Sequence, residues 1–296
     1  DFIMRTCLYV MDLPITLKVE TFGRDSVNKI KNEWENIKAA IKNTVEVMNE
    51  LGFNAENIVA DNAVIPIIYY RYKYGDDAFK NDTESGTKKI TFDEKMEIRK
   101  YMVIAQIRHI FGQSTNATLT SIRTELKKHN EKFKLEQLQG LTFTGERSLK
   151  YDADDIENWF DAYEKNAYTF MLLSLLYPNL KFSQKGFHQD HMHPYSGFEK
   201  DEDLMSLALP TGNGPMNAEK IANWKHQRNT LANLQLLEGR ENESKNADRL
   251  IDWLNIPENK SNVKYLPLVD YSLANFDEFL EKRKELMFTE LKRILL

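Results

Sequence analysis

The stretch His188-Gln189-Asp190-His191-Met192-His193-Pro194 is followed, after a long gap, by Asn233-Leu234-Gln235-Leu236-Leu237 and then by Asn242 and Lys245. Residues 181–194 read as extended. Residues 231–237, with few polar side chains, read as a second strand. Residues 242–254 place Ala247, Leu250, Ile251 and Leu254 on one face and read as a helix. Strand, strand and helix are therefore expected in chain order, although Asn233 lies 42 residues beyond His191 and an acidic run, Glu199 to Asp203, falls in the gap. Four of the six histidines lie between 188 and 226. Side chains of these types can bind one divalent cation, activate a water and grip a phosphate.

Outside this stretch the chain reads as helical. Val27, Ile30, Trp34, Ile37, Ile41, Val45, Met48 and Leu51 recur at spacings of three and four, which predicts one long amphipathic helix stopped by Gly52. Residues 62–72, strongly apolar with Pro66, predict a buried helix with proline in its first turn, or a short strand before one. Residues 75–89 are polar and aperiodic and read as a surface loop. Thr91 and Glu94 form a capping-box pattern opening a helix that runs to Gly112. Ser114 starts another helix, with Leu119, Ile122 and Leu126 on its buried side. Residues 127–150, with mixed charge, Gly140 and Gly145, read as a connection between lobes. Asp152, Asp154 and Asp155 precede an apolar-periodic run and are expected to complement a helix dipole rather than hold calcium. Residues 168–177 predict a buried helix stopped by Pro178, residues 195–216 a loop, 218–227 a helix, and the run through Phe276, Phe279, Leu280, Met287, Leu291 and Ile294 a closing amphipathic helix. The fold class expected is mainly α (α+β), with a helical domain over 1–160 and a second domain over 161–296.

The chain has 296 residues, 42% of them hydrophobic and 29% charged, within the range of a globular protein. A net charge of −5 does not advertise nucleic-acid binding, but an acidic protein can still be basic along one groove. One cysteine, Cys7, excludes an internal disulfide and suits a reducing cytoplasm. Its apolar neighbours predict a buried side chain. No apolar stretch approaches the roughly twenty residues of a membrane span, and the N-terminus carries no signal-peptide pattern. No glycine-rich phosphate loop of the Walker type occurs.

Hydrolysis of a phosphodiester requires a base for the water and neutralisation of the charge on phosphorus and on the leaving oxygen. A neutral imidazole suits the first task and a hard cation on oxygen ligands the others. Asp190 and His191 are adjacent, so a regular strand would aim them at opposite faces, and a bulge would be needed to turn both into one cleft. Asn242 is expected to open the last helix, with a neutral amide oxygen. Asp190 with Asn242 would leave most coordination positions free for water and phosphate. Lys245, about one turn on, shares the face of Asn242 and can reach a phosphate oxygen.

The pattern Asp190-His191-x-x-Pro194, then Asn233, then Asn242-x-x-Lys245, resembles the HNH (ββα-metal) nucleases. The resemblance implies two antiparallel strands and a helix clasping one metal ion, Mg²⁺ or Mn²⁺. It makes Asp190 the first metal ligand, His191 the general base, Asn233 the residue bracing the loop that carries the base, Asn242 the second ligand and Lys245 a phosphate contact. Residues 1–6 (Asp-Phe-Ile-Met-Arg-Thr), 62–70 (Asn-Ala-Val-Ile-Pro-Ile-Ile-Tyr-Tyr), Phe187 to His191 and Asn233 to Leu237 together resemble the C-terminal half of GmrSD-type proteins. These are bacterial modification-dependent restriction or antiphage enzymes with an N-terminal nucleotide-hydrolysing domain. The nucleotide motif of that domain is absent, so the resemblance implies a fragment whose partner is the missing NTPase half.

The remaining residues carry alternatives. His188 shares strand parity with Asp190 and is expected to line the site or touch phosphate. Zinc on His188, Asp190 and His193 is the alternative metal reading. His226 falls on a helix, facing either groove or solvent. Lys225, Arg228, Arg240 and Arg249 are expected to track a DNA backbone, against the alternative of a solvated mixed-charge face. The rival function is a catalytically silent helical module that binds DNA or a partner, with a structural or zinc-binding histidine cluster.

Overall fold

The computed structural model describes residues 1–75, 92–129 and 132–296. The loop expected after Gly75 and the capping hydroxyl of Thr91 lie outside the described residues. Among those described, the chain is mainly α with two small antiparallel sheets, and it divides into two compact units, Asp1–Lys150 and Tyr151–Leu296.

The first unit comprises α1 (Phe2–Val10), α2 (Arg24–Asn32), α3 (Trp34–Glu50), α4 (Ile65–Tyr74), α5 (Phe92–Ile107), α6 (Thr115–Leu126) and a hairpin of β1 (Thr142–Phe143) and β2 (Arg147–Ser148). Its centre is α4, which packs on α1, α3 and α6 and buries Ile65 through Tyr70 on every side. Pro66 sits in its first turn, where a missing N–H breaks no helical bond. Leu119, Ile122 and Leu126 are buried on α6 as the spacing requires. Arg123, also on α6, donates to the carbonyls of Leu8, Tyr9 and Leu13 at 3.3, 3.0 and 3.0 Å and so satisfies acceptors around the end of α1. Cys7 is buried.

The helix expected over 27–51 is broken at Glu33, whose backbone leaves the α region (φ −99°, ψ 5°) between α2 and α3. Glu33 directs its carboxylate to the Asn36 amide at 2.8 Å and the Tyr72 hydroxyl at 3.1 Å. Only part of the stripe is then core: Ile37, Met48 and Leu51 are buried, while Val27, Trp34 and Val45 are exposed.

The second unit comprises α7 (Ala153–Ala162), α8 (Ala167–Leu176), β3 (Phe187–His191), α9 (Asp201–Met205), α10 (Ala218–Gln227), β4 (Leu234–Glu238), α11 (Gly239–Lys245), α12 (Leu250–Leu254), α13 (Pro257–Asn262) and α14 (Phe276–Leu295). The acids before α7 are structural: Asp152 accepts from the Asp155 N–H at 2.9 Å while Asp155 accepts from the Asp152 N–H at 3.2 Å. α7, which a boundary at 160/161 would cut, packs on α14 within this unit. Residues 195–216 are not wholly irregular, because Asp201, Glu202 and Asp203 of the acidic run form the first turn of α9. The second strand is shorter than expected, with 231–233 forming a 3-10 turn ahead of β4. The single helix expected over 242–254 is two, separated where Asn246 takes φ 43°.

Candidate functional site

β3 and β4 pair antiparallel in unbroken register, from Phe187 opposite Glu238 to His191 opposite Leu234. α11 follows β4 directly and packs on both strands. No bulge interrupts the pairing, so the bend considered from sequence is absent and Asp190 and His191 start from opposite faces; His191 is the last residue of β3, however, and there it still feels the charges of both Asp190 and Lys165.

On the α11 side, the Asp190 Oδ2 accepts from Nε2 of its cross-strand partner Gln235 at 2.9 Å and lies 3.0 Å from the Lys245 Nζ. Oδ1 has no hydrogen-bond donor among the described residues and is not among the enclosed unpartnered atoms, so it is the open oxygen. Lys245 is fully buried, and its ammonium also donates to the His191 carbonyl at 2.5 Å. Its expected reach to a phosphate is therefore corrected: a buried ammonium is tolerated only with its acceptors in place, and Asp190 and the His191 carbonyl occupy it. Asn242 is not the first residue of its helix. It lies mid-way along α11, half-buried, on the side of Lys245, with no side-chain hydrogen bond among the described residues. Arg240, Glu241 and Ser244 line a separate hollow with Leu237 and Trp253. His188 is exposed on the Asp190 parity, its ring lying against Gly239, where an added Cβ would come 3.5 Å from Nε2.

On the other face, His191 is half-buried, with Nε2 3.0 Å from the Asn229 Oδ1 and its ring edge-on to Tyr195. The Asn229 Nδ2 donates to Glu164 at 3.3 Å, which leaves Oδ1 to accept from the Nε2–H and Nδ1 to carry the lone pair. Burial pushes the His191 pKa below its ordinary value, opposed by the Asn229 hydrogen bond; Lys165 and Lys245 lower it further and Asp190 opposes them. Neutral imidazole is the form this setting favours at pH 7.

Asn233 is fully buried. Its Oδ1 accepts from the His193 N–H at 2.9 Å, and its Nδ2 donates to the carbonyls of His193 at 3.1 Å and Arg228 at 2.8 Å. It thus holds the chain two residues after His191. His193 itself is core: it is buried, its ring stands edge-on to Phe276 and Phe279, and burial drives its pKa down to about 3. That placement removes it from the candidate site. Among the described residues no group of three or more His, Cys, Asp or Glu is arranged to hold a metal, so the zinc alternative lacks its ligand set.

The expected DNA-tracking residues differ from one another. Lys225 pairs with Asp201 at 2.5 Å, Arg249 with Asp252 at 2.6 Å, and the buried Arg228 stacks on Tyr195 and donates to the Phe198 carbonyl. Arg240 is exposed without an ion pair among the described residues. His226 is exposed and meets Glu164 at 3.0 Å. Gln235, Asn229 and Lys165 were missed. Gln235 could have been found from its place opposite Asp190; the other two carry no local signal, because tertiary packing brings their segments to the strand.

No protein-family model matches the chain, and a search of curated proteins returns no match. No described helix is long and apolar enough to cross a membrane.

Proposed function

We propose that the second unit is a metal-dependent DNA endonuclease of the HNH type, within a bacterial modification-dependent restriction or antiphage enzyme whose other half is an NTPase, acting in the cytoplasm. The observation that carries this reading is Asn233, whose side chain grips both backbone groups of His193 and so steadies the segment leaving a neutral His191, on a strand–strand–helix unit. The donor set fits a hard cation: the open Asp190 Oδ1 and the unpartnered Asn242 amide are oxygen ligands suited to Mg²⁺ or Mn²⁺. A bound ion would neutralise charge on the phosphate and the leaving 3′ oxygen. The His191 Nδ1 takes the proton of the attacking water, Asn229 holds the imidazolium through Nε2–H, and Lys245 and Gln235 engage the Asp190 Oδ2, leaving Oδ1 as the oxygen without a donor among the described residues. The expected products are 5′-phosphate and 3′-hydroxyl ends.

Plasmid nicking with Mg²⁺ or Mn²⁺ tests this. His191→Ala should lower the rate by about 10²–10⁴, and Asp190→Ala and Asn242→Ala should also lose activity. Cutting at the wild-type rate by His191→Ala and Asn242→Ala would refute the assignment. The buried Lys245–Asp190 pair and the enclosed His193 favour a second reading, a catalytically silent DNA- or partner-binding module whose polar cluster is structural. Stoichiometric zinc, or no metal, together with no cleavage would select it.

A further inference from the structure

We propose that Lys165 binds a phosphate of the nucleic-acid strand beside Asp190 and His191, the task that sequence spacing assigned to Lys245. The inference rests on the nuclease reading and deepens it.

Lys165 lies in the short connection between α7 and α8, and the residues on either side of it are fastened. The Glu164 backbone bridges to Thr230, and its carboxylate meets His226 at 3.0 Å and Asn229 at 3.3 Å, the latter being the residue that holds the His191 ring. The Asn166 carbonyl accepts from Gln189 at 2.9 Å, two residues before His191, while its side chain caps α8 through the N–H groups of Tyr168 and Thr169 at 2.8 and 3.3 Å. Both ties lead to the His191 face of the hairpin and deliver Lys165 to its edge.

Among the described residues, the charges there leave Lys165 as the available cation. Asp190 is the acidic group that acts on Lys165, Lys245 and Arg283 alike. Lys245 is consumed by Asp190 and the His191 carbonyl, and Arg283 is buried on the carbonyls of Ala232 at 2.6 Å and Leu234 at 2.9 Å. Lys165 is exposed and has no ion pair within 4.0 Å among the described residues. Burial of part of its side chain disfavours its charge, Asp190 opposes that effect and Lys245 reinforces it. A phosphodiester supplies the missing anion, and a flexible ammonium suits it as a point-charge contact.

The test measures binding of the full chain to a fluorescent duplex in EDTA across a salt series, with plasmid nicking in Mg²⁺ alongside. Lys165→Ala and Lys165→Gln should weaken binding at low salt by about tenfold and reduce the salt slope by about 0.9, one phosphate contact. Lys165→Arg should restore most of both, and Lys181→Ala, at an exposed lysine elsewhere, should change neither. Circular dichroism checks that each variant is folded, and the glutamine variant stands in if the alanine one is not. A wild type that binds and nicks, with Lys165 variants of unchanged slope and rate, overturns the role of Lys165 and leaves the nuclease standing. A wild type that neither binds nor nicks overturns both.

Discussion

His193 is a histidine whose surroundings cannot accept its charge. Phe276 and Phe279 present rings at 5.4 and 4.7 Å, Nε2 has no hydrogen-bond partner among the described residues, and only the backbone is secured, by Asn233. With the folded pKa near 3 and the unfolded value near 6.5, the unfolded chain binds the extra proton between those limits. The stabilising preference is fully present above pH 6.5 and is lost as pH falls toward 3. Its slope approaches about 1.4 kcal/mol per pH unit. Urea unfolding at pH 6.5 and 5 should show wild type losing up to roughly 2 kcal/mol more than His193→Phe, which cannot titrate. Parallel losses in the two proteins would mean that the ring is not held neutral. One position thus takes a histidine for its shape while its neighbour at 191, half-buried and hydrogen-bonded, keeps one that can work as a base.

At the scale of elements, α11 is fastened to β3 by a lysine rather than by an apolar stripe. The Lys245 stem passes into the unit beside the Trp253 ring, and its ammonium ends on Asp190 and the His191 carbonyl. Removing one member of such a pair leaves an uncompensated buried charge, at about 3–5 kcal/mol. Lys245→Met should therefore lower the urea midpoint by that equivalent. Adding Asp190→Asn, which deletes the charge and keeps an acceptor for Gln235, should recover most of it. Equal stability of wild type and Lys245→Met would show that the pair does not hold the helix. The same element shows why motif spacing misleads. Asn242 and Lys245 share a side of α11, so spacing alone sends both to a ligand, but the helix packs too closely on β3 for the lysine to reach out.

At the scale of the whole molecule, each unit has its own core. That of the second gathers Phe198, Trp224 and Phe276 in edge-to-face contacts and closes with α14. A fragment of residues 151–296 should therefore unfold cooperatively in urea and, on the nuclease proposal, nick plasmid by itself. A fragment that is unfolded by circular dichroism would show that its core does not suffice. α4, α6, α8, α10 and α14 were readable from the chain, because apolar periodicity, capping residues and proline act within a turn or two. So was the order strand, strand, helix, with Asp190 and His191 on the first strand. The break at Glu33 was not readable, because the Tyr72 hydroxyl that meets its carboxylate comes from α4. Nor were the fates of Lys245, His193 and Lys165. A side chain's chemistry is set by residue type, but its partner, solvent access and charge state depend on which distant segments fold against it, and no spacing along the chain records that.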